Sequence, residues 1–180
     1  MKKSPDVTSI LFGEDEIRER VAEIGSQITE RYKGENILLI GILKGACIFM
    51  SDLARQIDGN VEFDFMAVSS YGIEAKSSGV VRIIKDIDRD IQGMNVIIVE
   101  DVIDSGFTMK FLKKYLKARG PKSIGIAVLL RKNVEQQIPV KPDYVGFECG
   151  DEFLVGYGLD YAGRYRNLPY IGILDPKVYA

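Results

Sequence analysis

The sequence predicts an α/β fold, a central and mostly parallel twisted sheet flanked by helices. Three observations predict it. Several runs are too uniformly apolar for strands with one wet face, which is the pattern of parallel strands covered on both sides. Segments of helical period lie between them, the alternation that builds strand–helix–strand units. The 180 residues, 46% of them apolar, suffice for one substantial core, so a single domain over 1–180 is expected.

Along the chain, residues 14–32 place Ile17, Val21, Ile24 and Ile28 at helical intervals among charged residues, so an amphipathic helix is expected there. NILLIGIL (Asn36–Leu43) is the first strand-like run, and a helix is expected over Ala46–Ile57. VEFDFMAV (Val61–Val68), VRIIKD (Val81–Asp86) and NVIIVED (Asn95–Asp101) follow. A second such helix, Phe107–Arg119, is ended by Gly120-Pro121. SIGIAVLL (Ser123–Leu130) and a late YIGIL (Tyr170–Leu174) complete the strands. The long polar interruption SSYGIEAKSSG (Ser69–Gly79) has no apolar period and reads as a hairpin connection or as a lid with Gly/Ser hinges. There is no internal repeat.

Composition excludes more than it asserts. Lys and Arg number 24 against 26 Asp and Glu, a net charge of −2, so there is no global electrostatic case for nucleic acid or an anionic membrane. The basic residues Lys110, Lys113, Lys114, Lys117 and Arg119 read as a solvated helix face. Met1, Lys2 and Lys3 precede Ser4, Pro5 and Asp6 rather than an apolar segment, and no run is long enough to cross a membrane, so a soluble cytoplasmic protein is expected. Cys47 and Cys149 have neither CxxC spacing nor a histidine nearby, and buried thiols are expected. The chain has no histidine, which removes Ser-His-Asp and Cys-His chemistry and leaves acid–base work to carboxylates, lysines or tyrosines. GILKGA is not a GxxxxGK[ST] loop, and the glycines of GYGLDYAG are wrongly spaced for GxGxxG.

One stretch concentrates the chemistry. VIIVEDVIDSGFTM (Val96–Met109) sets Glu100, Asp101 and Asp104 between a buried-strand pattern and a helix start, where α/β proteins bind ligands and helix N-termini favour anions. The small and hydroxyl residues of Asp104-Ser105-Gly106-Phe107-Thr108 leave backbone N–H groups free to wrap a phosphate monoester. The upstream carboxylates accept hydrogen bonds from a polyol, directly or through Mg²⁺. A ligand carrying a diol beside a phosphate is a sugar phosphate. The alternative is Asp104 or Ser105 as an ordinary helix cap with Glu100 and Asp101 solvated.

That stretch resembles the phosphoribosyl-pyrophosphate motif of type I phosphoribosyltransferases: apolar run, two acids, two variable residues, then Asp-small-Gly-x-Thr. LKGA (Leu43–Ala46) resembles the family's pyrophosphate loop, SSYG (Ser69–Gly72) its mobile catalytic loop, and LLRK (Leu129–Lys132) its purine-recognition strand end. DEFLVGYGLDYAGRYRNLPYIG (Asp151–Gly172) is similar to the C-terminal segment of hypoxanthine–guanine phosphoribosyltransferases. The motifs occur in order over about 36–174. Departures are Ser105 for the common Thr, Ala46 for a second Gly or a Ser, and Ala75 where a hydroxyl residue is frequent.

The resemblance implies the type I phosphoribosyltransferase fold: a core over about 36–150, a small hood from 1–13 and 151–180, and a mobile loop over 69–79. It implies transfer of the phosphoribosyl group from 5-phosphoribosyl 1-pyrophosphate to N9 of a 6-oxopurine, hypoxanthine or guanine. In that reading Glu100 and Asp101 hold the ribose hydroxyls, partly through Mg²⁺, and Asp104, Ser105, Gly106, Phe107 and Thr108 hold the 5′-phosphate. Asp104 is also the catalytic base for purine N7. Leu43, Lys44, Gly45, Ser70, Tyr71 and Arg166 bind pyrophosphate, with a second Mg²⁺ on Asp160, and the Leu43–Lys44 peptide can be cis in the family. Lys132, Phe153, Leu154, Leu159 and Asp160 form the purine site, where adenine would leave a buried Lys132 ammonium unpaired. A homo-oligomer, dimer or tetramer, is expected, with no nucleic-acid partner. The competing readings are a xanthine-preferring enzyme and an RNA-binding regulator on the same fold.

Overall fold

The computed structural model describes residues 3–70, 81–133 and 138–179. Six strands form the main sheet: β2 (Ile37–Leu43), β3 (Val61–Ser70), β4 (Val81–Lys85), β5 (Asn95–Ile103), β6 (Ser123–Lys132) and β7 (Tyr144–Cys149), in the order β4-β3-β2-β5-β6-β7. All neighbours are parallel except β3 and β4.

Burial on both faces explains the uniformly apolar runs. Ile37 and Leu39 of β2, Ile97 and Val99 of β5, and Ala127 and Leu129 of β6 pack with α1 (Glu14–Arg31) and α2 (Ala46–Arg55). The alternate residues, Leu38 and Ile40, Val96 and Ile98, Ile126 and Val128, meet Met109, Leu112 and Leu116 of α3 (Phe107–Lys117) on the other face. Period-two strands between two helical layers need apolar residues at every position. In α1 the expected Ile17, Val21, Ile24 and Ile28 are buried, with Glu14, Asp15 and Glu16 at the positive end of the helix dipole and Arg31 at the negative end. Gly25 lets α1 close on the α2 end, where an added Cβ would lie 2.5 Å from that of Gln56.

A second, antiparallel sheet, β1 (Val7–Phe12), β9 (Ile171–Leu174) and β8 (Leu154–Val155), joins the two ends of the chain. The run at 170–174 is the centre of this small sheet, and one expectation changes: VRIIKD is not a doubly covered parallel strand but an antiparallel edge strand whose Ile84 points to solvent. The helices end slightly earlier than expected, at Arg55 and Lys117. Cys149 is buried as expected, but Cys47 is exposed on α2. No helix among the described residues is long and apolar enough to cross a membrane.

Candidate active site

The strand order places the site. From β2 the chain continues to β3 on one side, and from β5 it continues to β6 on the other, so the loops leaving β2 and β5 diverge and open a crevice at the carboxyl ends of adjacent strands. Leu43-Lys44-Gly45 leave β2 there, and Glu100 to Thr108 span the end of β5 and the start of α3.

The two loops touch. The Leu43–Lys44 peptide is cis, and Gly45 has φ −61° and ψ −40°, values open to any residue. Space is what demands glycine: an added Cβ would lie 1.5 Å from Asp101 Oδ2. Glu100 is buried, and that burial, reinforced by the neighbouring Asp101, pushes its carboxyl well above the usual range. Burial also raises Asp101, against the opposing effects of its hydrogen bond with Glu100, the Val102 N–H 2.9 Å from Oδ1, and the Arg166 charge.

The C-terminal segment also packs against Gly45. Gly156, Tyr157 and Gly158 follow one another at φ 100°, 49° and 102°. A Cβ on Gly158 would lie 2.2 Å from the Gly45 carbonyl oxygen, so backbone rests on backbone. Gly158 N–H donates to the Arg166 carbonyl at 3.0 Å, and Arg166 Nη1 donates to the Gly158 carbonyl at 2.5 Å. Arg166 Nη2 pairs with Asp160 Oδ1 at 2.6 Å, while Asp160 Oδ2 accepts the Gly163 N–H at 2.7 Å. Tyr157 donates its hydroxyl to Asp52 of α2 at 2.7 Å, and burial, then that carboxylate, push the phenol above its ordinary range. The loop carrying Lys44 thus packs closely against both Asp101 and the Gly-Tyr-Gly turn.

The start of α3 is open to an anion. Gly106 caps the helix in the left-handed region at φ 83°, no side chain caps it, and its first turn holds no acid. Neither Asp104 nor Ser105 acts as the ordinary cap. Gly106 is enclosed by the Ile138 carbonyl, 2.1 Å from where a Cβ would stand. Asp104 is exposed beside this turn, with no hydrogen bond or ion pair among the described residues. The register that aligns Ile103 with Arg131 carries Asp104 to the level of Lys132, and both charges act on the buried Cys149 thiol.

At the end of β6, Lys132 Nζ pairs with Asp151 Oδ1 at 3.0 Å, the lysine side chain being 20% exposed and the aspartate 78%. This corrects the expectation of a buried ammonium that adenine would leave unpaired: Asp151 keeps it partnered. Phe153 is exposed, whereas Leu154, held in β8, and Leu159 are buried. The three acids proposed for metal do not form one cluster, since no group of three ligating side chains occurs among the described residues and Asp160 is occupied by Arg166. Tyr71 and the Ser70 side chain lie outside the described residues, as does nearly all of the 69–79 loop. Of the basic residues around α3, Arg119 is engaged by Asp86 at 2.6 Å, while the four lysines are exposed.

Asp151, Tyr157 and Gly158 were not expected in these roles. The only sequence signal for the last two was the dense glycine spacing of GYGLDYAG, meaningless as a dinucleotide motif but apt for a backbone that must run at positive φ.

Residues 13–162 match the phosphoribosyl transferase domain family. The hypoxanthine-guanine phosphoribosyltransferase of Mycobacterium avium is 52% identical over 97% of this chain and 89% of that protein. That of Bacillus subtilis (strain 168) is 51% identical over 97% of both. The bifunctional protein TilS/HprT of Listeria innocua is 50% identical over 97% of this chain, which spans only 27% of that longer protein. A hypoxanthine phosphoribosyltransferase structure from Staphylococcus aureus superimposes with a TM-score of 0.93 at 43% identity, over 97% of this chain and 95% of that one. The shared fold, the switch-point loops and this identity over nearly the whole chain agree: the chain belongs to the phosphoribosyl transferase domain family, on its hypoxanthine-guanine branch.

Proposed function

We propose that the protein transfers the 5-phosphoribosyl group of phosphoribosyl pyrophosphate to N9 of a 6-oxopurine, hypoxanthine or guanine, releasing pyrophosphate in purine salvage. The observation that carries this reading is the meeting of the β2 and β5 loops at the switch point, with Gly45 backed directly onto Asp101. A diol-binding carboxylate and a leaving-group loop in contact suit a substrate whose ribose and pyrophosphate are covalently joined.

In this reading the 5′-phosphate takes the free N–H groups at the start of α3, together with the Ser105 and Thr108 hydroxyls. Glu100 and Asp101 accept from the ribose hydroxyls. As the bond to pyrophosphate lengthens, positive charge grows at the sugar and negative charge at the leaving group, so the residues must stabilise both. Lys44 and Arg166, with the Gly45 backbone, receive the leaving group. Asp104 takes the proton from purine N7 and raises electron density at N9. Phe153 stacks on the base, Leu159 lies against it, the Leu154 and Asp160 carbonyls meet its N1 and N2 edge, and Lys132 donates to O6. Ser70 and Tyr71 belong to the loop that closes over pyrophosphate.

Glu100, buried, and its half-buried neighbour Asp101 offer adjacent carboxyl oxygens, a donor set that fits a hard divalent cation. Glu100 and Asp101 would hold one Mg²⁺, and Asp160 would hold a second once Arg166 turns to the leaving group. When bound, the ions neutralise phosphate charge. We further propose a cytoplasmic homo-oligomer, dimer or tetramer.

The test is direct. Protein, Mg²⁺ and phosphoribosyl pyrophosphate are mixed with hypoxanthine, guanine, xanthine or adenine, and pyrophosphate release is measured. Turnover with hypoxanthine or guanine is expected; turnover confined to adenine, or none with any base, would overturn the assignment, and turnover led by xanthine would reassign the base.

A further inference from the structure

We infer that Tyr179, near the C-terminal end of the chain, is a positioning residue of the purine site, holding the Phe153 ring ready to receive the base. The inference rests on the 6-oxopurine reading above. Three aromatic rings meet at Phe153: Tyr179 stacks on it with centroids 5.0 Å apart and an interplanar angle of 28°, and Tyr161 meets it edge-on at 5.5 Å and 87°. Tyr161 and Tyr179 are themselves 6.2 Å apart, closer than a right angle at Phe153 would allow. Tyr179, stacked on one face of Phe153, leaves the opposite face free of its own ring. Phe153 is 37% exposed, which is unusual for a phenylalanine with two aromatic neighbours and consistent with an open face.

The tail is built to hold Tyr179 there. The Leu174 N–H donates to the Phe153 carbonyl at 2.8 Å, so β9 grips the backbone of the residue whose ring the tail grips. After β9 the chain enters a short 3₁₀ turn, Pro176–Val178, capped by Asp175, whose carboxylate accepts the Lys177 N–H at 2.9 Å. Asp175 N–H is in turn bonded to the Asp6 carbonyl at 2.8 Å, and the turn closes with Tyr179 N–H on the Pro176 carbonyl at 3.2 Å. Val178 packs against the small apolar cluster of Val7, Val155, Tyr170 and Leu174. Tyr179 is thereby delivered to one face of Phe153 while Tyr161, next to Asp160, packs against it at a near right angle. A stacking ring restrained before the base arrives loses less freedom when the base binds.

The experiment compares wild type, Tyr179→Ala and Tyr179→Phe in steady-state KM for hypoxanthine and for phosphoribosyl pyrophosphate, with thermal midpoints alongside. Aromatic pairs of this geometry predict that Tyr179→Ala raises the hypoxanthine KM about 3–10-fold. The phosphoribosyl pyrophosphate KM should stay within twofold, and Tyr179→Phe should restore the wild-type value, because stacking needs the ring and not the hydroxyl. In a Phe153→Ala background the Tyr179→Ala effect should vanish. An unchanged hypoxanthine KM, both KM values rising together, a Phe variant as impaired as the Ala variant, or full additivity with Phe153→Ala would each overturn the inference. Wild-type protein that turns over no 6-oxopurine would instead overturn the functional reading on which it rests.

Discussion

Gly45→Ala is the sharpest probe of the site, because its consequence follows from space alone. The backbone at Gly45 is helical, so alanine meets no conformational penalty and by itself would stabilise by about 0.4–1 kcal/mol through the unfolded chain. The new methyl, however, would stand 1.5 Å from Asp101 Oδ2, 2.3 Å from Cγ and 3.1 Å from Cβ. To reach ordinary contact the half-buried carboxylate must retreat by about 2 Å, which breaks its hydrogen bond from the Val102 N–H, worth ~1–3 kcal/mol with the desolvation it leaves behind. The net cost of about 1–2 kcal/mol lowers the thermal midpoint by about 2–8 °C in a chain of this size. Activity should suffer far more, since a misplacement of about 1 Å already costs ~10²-fold in rate. Pyrophosphate-release assays should find kcat/KM for phosphoribosyl pyrophosphate down by ~10²-fold or more. Asp101→Ala removes the obstacle, so Gly45→Ala added to it should cost nothing further. Retention of kcat/KM within threefold in Gly45→Ala, or a further tenfold loss in the double variant, would refute the contact as the cause.

Three other outcomes are expected. Asp104→Asn keeps shape but not basicity, so single-turnover rates should fall by ~10²–10⁴ while phosphoribosyl pyrophosphate still binds; a rate within threefold of wild type removes Asp104 as the base. Because Asp151 keeps Lys132 partnered, discrimination against adenine through Lys132 should lie near ~10-fold rather than ~10⁴, and Lys132→Gln should narrow the measured hypoxanthine-to-adenine ratio of kcat/KM; equal losses on both bases would make Lys132 structural. Glu100 has a folded-state pKa raised by burial, so its contribution to stability is present below the unfolded value and is lost as pH rises through the folded one. Glu100→Gln should therefore raise the metal-free thermal midpoint at neutral and higher pH by about 2–4 °C, an effect absent near pH 4, while lowering activity; an unchanged or lower midpoint at pH 8 counts against this reading.

What could be read from the sequence divides along a physical line. β2, β5 and β6 were legible because both faces of each are buried, so Ile37–Ile42, Val96–Val99 and Ile126–Leu130 advertise themselves position by position. β1 was not, since Val7 is its one fully buried residue, and β7 was obscured by Gly146 and Glu148. Gly146 nonetheless belongs in that strand: a Cβ there would lie 2.3 Å from the Leu129 carbonyl oxygen of β6. β8 is two residues long and exists only because β9 pairs with it. In the site, the acids after β5 were visible because their loop is local in sequence. The contacts that clamp the Lys44 loop were not, because Tyr157 reaches Asp52 across 105 positions and Gly158 reaches Gly45 through backbone alone. Lys132 was legible as a strand-end cation, but its partner Asp151 depends on how β7 returns to the same edge.

The absence of histidine, which narrowed the chemistry at the outset, finds its explanation in this architecture. In the proposed reaction the transition state is cationic at the sugar and anionic at the departing pyrophosphate, and neither end demands a group that changes charge near neutral pH. What it demands is charge and dipole fixed in place before the bond breaks, because preorganised groups are not reoriented at the moment of reaction. The molecule supplies this by packing backbone against functional groups with nothing between: Asp101 against Gly45, and Gly45 against Gly158. A side chain at either glycine would act as a spacer and loosen the stack. Arg166 closes the arrangement by binding the Gly158 carbonyl and Asp160 together, so the cation proposed for the leaving group is oriented by the same turn that supports the loop. The one proton that must move, from purine N7, falls to Asp104, the acid of the three that is exposed and unpaired among the described residues. In the proposed reaction the buried Glu100 and the half-buried Asp101 hold the sugar, and the exposed Asp104 exchanges a proton with the base: graded burial would divide three neighbouring carboxyls into two tasks.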